Sequence, residues 1–374
     1  MSKRDRKIKE LNGGSILLGV LPKGCKMCAK GSKMVLFVTG LCDSSCYYCP
    51  LSEKRAGKDV TYADEMPTNV DDDIIREADA IGAEGAGLSG GDPLCEMKRT
   101  LHFINLLKSE YGAGFHLHLY TSKTDVSIED LQQLRAAGLD EIRFHPQGND
   151  WSGIERAISL NMTVGIEVPA IPGKTEYLME LLQRAESVGV SFANVNELES
   201  SETNFERLVK MGMKLTSLDS ASIAGSAETA LNVLEWSSKN LQKMSVHYCS
   251  ARYKDSVQLT NRLERRLKRM IRPFEIRDDD EPLLILGVIR APRGRVMSER
   301  NLESLWNLLL TDFDVPEEMM SVDYGRLRLE IAPWILEEIA QELKRIFTQA
   351  GELEIGIAYE YPSWDRLQTL FEPL

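Results

Sequence analysis

The sequence predicts an α/β protein in which a partial (β/α)6 TIM-like barrel is followed by a C-terminal α+β domain of ferredoxin-like topology. Two observations lead to this prediction. Short β-rich runs alternate with amphipathic helical stretches from residue 34 to about residue 200, and the rhythm changes after about residue 281. Such alternation is typical of parallel α/β sheets. A chain of 374 residues also suits one large and one small domain.

Six strand candidates define the predicted barrel. They lie at residues 34–40, 85–91, 115–122, 141–146, 163–171 and 192–198. The segments between them carry apolar residues at helical spacing, and several end in glycine, as helix C-termini prefer. Six strands in this order suit an open barrel, and the loops after the strands should carry the chemistry.

The C-terminal segment predicts the order β-α-β-β-α-β, which is the ferredoxin-like arrangement. The strands are expected near residues 283–289, 319–324, 326–331 and 353–361, and the helices near 299–311 and 334–348. A charged, proline-containing stretch at 277–282 marks the domain boundary. The expected organisation is an N-terminal extension at 1–33, the barrel at 34–245, a basic helical connector at 246–280 and the ferredoxin-like domain at 281–374.

Composition places the chain among globular proteins, with 43% hydrophobic and 27% charged residues. No run of about 18 apolar residues occurs, and the charged N-terminus has no apolar stretch of signal-peptide type after it. We therefore expect a cytoplasmic protein without membrane association. The net charge of −12 argues against a protein that coats nucleic acid over its whole surface.

The cysteines are clustered toward the N-terminus. They occupy positions 25, 28, 42, 46, 49, 95 and 249. In a cytoplasmic protein such clusters indicate metal or redox sites and not disulfides. Cys42, Cys46 and Cys49 directly follow the first strand, so they should lie in a loop at the carboxyl-terminal mouth of the barrel. Three thiolates on one loop can hold three irons of a cubane cluster and leave the fourth open, although a zinc site or a chance cluster is the alternative.

This cysteine triad, with Tyr48 before its last member, resembles the C-x3-C-x-aromatic-C motif of the radical S-adenosylmethionine (SAM) superfamily. The resemblance covers about residues 34–200 and is greatest to an archaeal-type group related to pyruvate formate-lyase activating enzymes. It implies a [4Fe–4S] cluster and SAM as cofactors, with SAM bound to the open iron and cleaved reductively to methionine and a 5′-deoxyadenosyl radical that abstracts hydrogen from a substrate. It also implies an electron donor of the ferredoxin or flavodoxin type.

A second motif, at the end of the second strand, looks like the family's G-G-E-P element with aspartate in place of glutamate. It consists of Ser89, Gly90, Gly91, Asp92 and Pro93. In the family this stretch receives the SAM amino group. Weaker resemblances imply further SAM contacts at Thr121, Ser122, Glu167, Ile171 and Asn196. For each of these, an ordinary barrel-lining residue is the alternative.

The remaining cysteines suggest a second metal centre. Cys25 and Cys28 form a C-x2-C pair before the first strand, and His247 and Cys249 follow the last barrel helices. C-x2-C is a metal-ligand spacing, so we expect an auxiliary iron–sulfur cluster or a zinc ion at these four residues. The alternative is that they are small buried hydrophobic residues.

Cys95 falls just past the glycine motif on the expected active face, where it is a catalytic candidate that could donate a hydrogen atom. A buried residue at a helix entry is the alternative. His116 and His118 alternate with leucines on the third strand, so both should face either the barrel interior or the helices. His145 ends the fourth strand. For one of the three histidines, a substrate contact is weighed against a satisfied structural role.

Basic residues concentrate in the segment 252–272, which could bind RNA through its phosphates. A solvated helix face is the alternative, and the aromatic signature of RNA-binding ferredoxin-like domains is missing. Three hypotheses for function follow. The first is a radical SAM enzyme that modifies RNA or a small molecule, and the second is an activating enzyme that installs a glycyl radical on a partner protein. The third, of another class, is a non-enzymatic iron–sulfur redox sensor.

Overall fold

The computed structural model describes residues 6–347 and 353–374. It divides into two compact units, a barrel unit that ends at Arg262 and a C-terminal unit that begins at Leu263. Each is described by itself.

The barrel unit is built on one open sheet. Its strands are β1 (Ile8–Glu10), β2 (Ile16–Leu18), β3 (Lys33–Thr39), β4 (Tyr62–Ala63), β5 (Met66–Pro67), β6 (Gly85–Gly90), β7 (His116–Thr121), β8 (Glu141–Phe144), β9 (Thr163–Ala170), β10 (Phe192–Glu197) and β11 (Ser245–Cys249). Seven of them, β3 and β6 to β11, are parallel neighbours. The β1–β2 hairpin extends the sheet beyond β11, and β4–β5 extends it beyond β3. The predicted partial TIM-like barrel is confirmed.

Helices precede, connect or follow the strands of this sheet, and the last of them continues into the C-terminal unit. They are α1 (Lys23–Ala29), α2 (Asp71–Ile81), α3 (Met97–Tyr111), α4 (Ile128–Ala137), α5 (Ser152–Ser159), α6 (Thr175–Val188), α7 (Phe205–Lys210), α8 (Ser226–Asn240), α9 (Ala251–Tyr253) and α10 (Thr260–Met270). A π-helical segment, Lys254–Leu259, joins the last two. Gly138 and Gly189 end α4 and α6 in the left-handed conformation, at φ of 107° and 101°, which glycine adopts without a steric penalty.

The two faces of the parallel sheet differ in polarity because successive side chains of a strand point to opposite sides. On β7, Leu117 and Leu119 pack into the apolar core beneath the helices. His116 and His118 point the other way, and the His118 ring lies beside Tyr120 in the barrel interior. The open question about the orientation of these two histidines is therefore settled in favour of the interior.

Strand β11 corrects one expectation. Residues 246–249 were assigned to a helical connector, but Ser245–Cys249 pairs in parallel with β10 as a seventh barrel strand. The strand has only five residues and leads straight into helix α9, so neither glycine nor proline separates it from the basic segment that follows. Helical structure runs from Ala251 to Met270, and the last ten residues of the predicted connector contain the short strand Ile276–Arg277.

The C-terminal unit has the predicted ferredoxin-like core. Its elements are β12 (Ile276–Arg277), β13 (Leu284–Arg290), α11 (Glu299–Thr311), β14 (Met320–Asp323), β15 (Arg328–Ile331), α12 (Pro333–Ile346), β16 (Glu354–Glu360) and β17 (Gln368–Pro373). The antiparallel sheet has the order β14-β15-β13-β16-β17, with β12 paired to β13. The edge strands β12 and β17 were not predicted, because each is short or mostly polar. In the part of the chain that the structure describes, no helix has both the length and the apolarity needed to cross a membrane.

Candidate active site

The cysteine triad lies on the loop that follows β3. Cys42, Cys46 and Cys49 are all free thiols with at least partial exposure, and all three line one pocket of about 380 Å³. The Cys46 sulfur accepts a hydrogen bond from the Gln147 side-chain amide at 2.8 Å. The pocket volume falls in the range of small-molecule sites, and thiolate sulfur is the ligand that iron–sulfur clusters require. The donor set therefore fits a cluster beside a cavity large enough for a small ligand.

Most of the expected SAM contacts lie in the wall of this pocket. The predicted residues that line it are Tyr48, Ser89, Gly90, Gly91, Thr121, Ser122, Glu167 and Asn196. They come from the carboxyl-terminal halves of β6, β7, β9 and β10, from the residues just after β6 and β7, and from the cysteine loop, which is the side of a barrel of this kind that holds its ligand. Asp92 and Ile171 do not line the pocket.

The two glycines fix the start of the cysteine loop. A Cβ atom on Gly90 would stand 2.3 Å from the carbonyl oxygen of Thr39, and one on Gly91 would stand 2.3 Å from that of Leu41. The N–H of Gly91 donates to the Thr39 oxygen and the N–H of Asp92 donates to the Leu41 oxygen, both at 2.8 Å. Glycine has no Cβ atom, so the chain at the end of β6 can approach the start of the cysteine loop this closely.

The carboxylate of Asp92 accepts hydrogen bonds from other groups of the protein. Its side chain is buried, and its carboxylate accepts from the hydroxyl of Thr121 at 3.0 Å, from the N–H and hydroxyl of Ser122 at 2.8 and 2.9 Å, and from the N–H of Leu94 at 3.0 Å. These bonds hold the loop after β7 in shape. The structure therefore places the Asp92 carboxylate beside the pocket wall, where it positions residues that line the pocket.

Replacing Asp92 with alanine should lower the free energy of unfolding by roughly 2–4 kcal/mol, because it leaves buried donors without an acceptor. Chemical denaturation measures this loss. The matched control is Asp43→Ala, which removes an exposed carboxylate that pairs with Lys123 at 2.9 Å and should change the stability much less, because solvent screens such a pair. Equal losses in the two variants would contradict the positioning role.

Glu167 lies in the pocket wall and is held by three donors. The Asn196 amide donates to one carboxylate oxygen at 2.8 Å. The Asn194 amide and the Arg143 guanidinium donate to the other at 2.8 and 3.1 Å. Arg143 is itself almost fully buried and also donates to Glu141 at 2.6 Å. A buried arginine is thus balanced by two carboxylates.

His145 lines the pocket, but both of its nitrogens are occupied. Nδ1 lies 2.7 Å from the carbonyl oxygen of Glu167 and Nε2 lies 2.7 Å from the hydroxyl of Tyr48. A carbonyl only accepts, so the proton belongs on Nδ1 and Nε2 accepts from Tyr48. Burial lowers the pKa of His145, which keeps the ring neutral. The ring orients Tyr48, the aromatic member of the cysteine motif.

His116 and His118 lie in the barrel interior and do not line the pocket. Burial lowers the pKa of His116 to about 4 and that of His118 well below its usual value. Both rings are therefore neutral in the folded protein near neutral pH. Neither is placed to contact a substrate.

These two histidines should make the fold sensitive to acid. As the pH falls below about 6.5, the unfolded chain binds protons that the folded chain does not, so the free energy of unfolding falls by up to about 1.4 kcal/mol per pH unit for each histidine. Urea unfolding of the metal-free protein between pH 7.5 and 5 measures the slope. The His116→Gln/His118→Gln variant should flatten this slope, and an unchanged slope in the variant would contradict the prediction.

Cys95 and Ile171 do not line the pocket. Cys95 is half-buried in the short 3-10 turn Pro93–Glu96, and its electrostatic neighbours are Lys123, Asp92 and Asp43. The geometry thus gives no support to a catalytic role for Cys95. The direction of a side chain in a turn cannot be read from its position in the sequence, which is why Cys95 was a candidate.

The other cysteines are brought together. Cys25 and Cys249 are buried and Cys28 is half-buried, and the thiolate forms of Cys25 and Cys28 each raise the pKa of Cys249, although burial is the larger cause. Burial raises the pKa of the Cys249 thiol to about 12. His247 lies on the same strand as Cys249.

Much of the basic segment 252–272 is engaged internally. Lys254 pairs with Glu199 at 2.8 Å, and Arg262 pairs with Asp64 and Glu65 at 2.6 and 2.5 Å. Within the C-terminal unit, Arg266 is buried and Arg272 pairs with Glu275 and Glu330 at 2.5 and 2.6 Å. These charges are balanced by the protein's own carboxylates.

Sequence reasoning missed several polar residues that line the pocket, among them Gln147, Arg143 and Lys254. Gln147 contacts Cys46 across 101 residues, Arg143 holds Glu167, and Lys254 reaches the pocket from the π-helical segment. The signal available in the sequence was the pair Glu141 and Arg143, two charged residues that alternate with Ile142 and Phe144 on a short strand.

Comparisons with known proteins give matches for both parts of the chain. A model of the radical SAM superfamily matches residues 36–197, and a model of a domain of unknown function matches residues 283–374. A curated protein of Methanocaldococcus jannaschii, named a putative glycyl-radical enzyme activating enzyme, is 38% identical over 368 residues, which are 95% of this chain and 93% of that protein.

Two solved structures show weaker likeness. The radical SAM methyltransferase of Kitasatospora setae, with tryptophan and a SAM analogue bound, gives a TM-score of 0.36 at 11% identity over 53% of this chain and 44% of that one. Coproporphyrinogen III oxidase of Escherichia coli gives a TM-score of 0.34 at 14% identity over 58% of this chain and 55% of that one. The chain thus spans about half the length of each.

Proposed function

Since this chain belongs to the radical SAM superfamily, we propose that Cys42, Cys46 and Cys49 hold its [4Fe–4S] cluster and that the pocket beside them binds SAM. The observation that carries this proposal is that all three thiols line the same pocket as the carboxyl ends of the barrel strands. When bound and reduced, the cluster supplies the electron that splits SAM into methionine and a 5′-deoxyadenosyl radical, which abstracts hydrogen from the substrate. Membership of an enzyme superfamily sets aside the non-enzymatic sensor.

The protein's own residues bind and orient SAM. A carboxylate offers about four acceptor positions, and Glu167 uses three of them on Asn194, Asn196 and Arg143. We assign the remaining position to a ribose hydroxyl. The Asn196 amide, fixed by this carboxylate, then presents its oxygen to the same ligand. Thr121 and Ser122 lie in the wall of the same pocket and are held there by Asp92.

An anaerobic assay tests this function. The protein is reconstituted with iron and sulfide, reduced with dithionite and mixed with SAM, and 5′-deoxyadenosine and methionine are measured by mass spectrometry. We expect both products in equal amounts, and only when the reductant is present. Their absence from a preparation that holds about four irons at the triad would contradict the assignment. A reduced ferredoxin or flavodoxin should replace dithionite as the electron donor.

For the substrate we keep two proposals. The name of the Methanocaldococcus jannaschii relative supports an activating enzyme that acts on a partner protein. Modification of RNA or a small molecule is the other proposal, and its RNA form is weakened by the internal pairing of Lys254, Arg262 and Arg272. RNA binding that weakens steeply with salt would support an RNA substrate. A SAM-dependent glycyl radical on a partner polypeptide, detected by electron paramagnetic resonance, would support the activating enzyme.

A further inference from the structure

We propose that Cys25, Cys28, Cys249 and His247 hold a second iron–sulfur cluster of the cubane type inside the barrel unit. The thiolates supply three ligands and Nε2 of His247 supplies the fourth. This centre is separate from the triad loop, and none of its four residues lines the SAM pocket.

Two elements that are far apart in sequence bring the ligands together. Cys25 and Cys28 are three residues apart on helix α1 and therefore lie on one face of it. His247 and Cys249 are two residues apart on β11 and therefore point to the same side of the sheet. Because β11 is a barrel strand, that side is the interior, into which α1 also projects Cys25 toward Asn194 of β10.

Two side-chain amides bridge the helix to the strand. The Asn194 amide nitrogen lies 3.3 Å from the Cys25 sulfur, and its oxygen lies 3.2 Å from Nδ1 of His247. The Gln258 oxygen lies 2.8 Å from the Cys28 sulfur, and its nitrogen lies 3.6 Å from the Cys249 sulfur. The four proposed ligands thus surround one small region of the interior.

The hydrogen bonds around His247 leave one of its nitrogens free to bind a metal. The Glu167 carboxylate only accepts, so the atom of Asn194 that lies 2.8 Å from it must be the amide nitrogen. The oxygen of Asn194 therefore faces His247 and takes the proton of Nδ1. Nε2 keeps its lone pair, and it is buried with no hydrogen-bond partner.

A buried acceptor without a partner requires an explanation, and a metal ion is one partner that the lone pair of a neutral imidazole binds. Metal-binding histidines characteristically donate their other N–H to a carbonyl or carboxylate oxygen, which fixes the ring. In this protein the side-chain oxygen of Asn194 accepts the N–H of His247 and fixes its ring. Asn194 also connects the proposed centre to Glu167 in the wall of the SAM pocket.

Cationic groups surround the sulfur atoms. The Arg143 guanidinium lies 3.5 Å from the Cys25 sulfur. Lys33 and Lys254 line one cavity together with Cys28. Three thiolates and a cluster form an anionic centre, and buried charges need opposite charges nearby. The surroundings therefore suit thiolates in particular.

The spacing favours a cubane over a single zinc ion. Zinc–sulfur bonds of about 2.3 Å in a tetrahedron place neighbouring sulfurs about 3.8 Å apart. Across residues 6–347 and 353–374, the only histidine, cysteine and carboxylate set with all donor atoms within 4.8 Å is His116, His118 and Glu141. The donor atoms of Cys25, Cys28, Cys249 and His247 therefore do not all lie within 4.8 Å of one another. A cubane binds its ligands at separate corners and so requires wider spacing, and a cavity of about 170 Å³ adjoins Cys28 and Gln258.

The test deletes the three cysteines that hold the first cluster and measures the iron and sulfide that the protein still binds. The variant Cys42→Ala/Cys46→Ala/Cys49→Ala is reconstituted anaerobically as the full chain. We expect it to keep about four irons and four sulfides per chain, with a reduced cluster signal in electron paramagnetic resonance that SAM does not alter. Adding Cys25→Ala, Cys28→Ala and Cys249→Ala should remove this iron, whereas adding Cys95→Ala, the matched control, should not.

His247 is tested on the same triad-deleted chain. His247→Cys should retain the iron with shifted g-values, because a thiolate replaces an imidazole ligand. Unchanged g-values would overturn the assignment of His247. Iron no higher in the triad-deleted chain than in the chain that lacks all six cysteines would overturn the second cluster, as would one zinc and no sulfide per chain. The chain that lacks all six cysteines must give the same circular dichroism spectrum as the triad-deleted chain, so that its loss of iron reports lost ligands and not misfolding.

Discussion

Replacing Cys46 with alanine is expected to abolish the formation of 5′-deoxyadenosine from SAM while leaving the fold intact. The substitution removes one of three proposed ligands of the catalytic cluster. We expect a loss of about 10³-fold or more, beyond the 10- to 100-fold that is typical when only a partner of a metal ligand is removed. Cys46 lies on a loop outside the apolar core, and such positions tolerate substitution.

The matched control for this prediction is Ser45→Ala, one residue away in the same loop and exposed. It should keep both the iron and the SAM cleavage of the wild type. Circular dichroism and iron content are measured beside product formation. Full activity of Cys46→Ala would refute the ligand assignment, and global unfolding of that variant would refute the view that the loop is independent of the core.

The second large effect concerns stability. Replacing Arg143 with methionine is expected to lower the free energy of unfolding by about 3–5 kcal/mol, because it leaves Glu141 and Glu167 without their buried counter-charge. The Arg143 and Glu141 side chains are each 2% exposed and lie 2.6 Å apart. Denaturation of the metal-free protein with guanidinium chloride measures the loss.

Lys239→Met provides the comparison for Arg143→Met. Lys239 pairs with Glu235 at a similar distance, 2.7 Å, but the two side chains are 51% and 66% exposed. Exposed pairs four residues apart on a helix contribute little to stability, because solvent screens them. A loss of similar size in both variants would mean that burial does not set the strength of the Arg143 pair.

The regular part of the fold was predictable because it follows from local patterns. The strand expected at 192–198 is β10 at Phe192–Glu197, and the helix expected near 299–311 is α11 at Glu299–Thr311. Each of these elements has enough residues to show the hydrophobic pattern of a strand or of a helix. β11 was missed because five residues without flanking turn signals do not establish a period. Its assignment depends on pairing with β10, which is not a local property.

The candidate site was predictable where a motif covers consecutive residues. The cysteine triad and Gly90–Gly91 line the pocket as the resemblance implied. Gln147 could not be found in this way, because its contact with Cys46 depends on how two loops 101 residues apart meet. For Asp92 the motif gives the position in the chain but not the role of the side chain. The motif located it correctly along the chain, but only the tertiary hydrogen bonds reveal that its carboxylate faces Thr121 and Ser122.

The anchoring of the cysteine loop bears on how the protein acquires its iron. One end is held by the backbone bonds of Gly91 and Asp92, and the other by the Asn204 side chain, which donates to the Tyr48 carbonyl at 3.0 Å. The conformational entropy of the loop is therefore lost when the chain folds, before any metal arrives. Maturation should then be a simple bimolecular encounter, whose rate rises in proportion to the concentration of the protein that delivers the cluster.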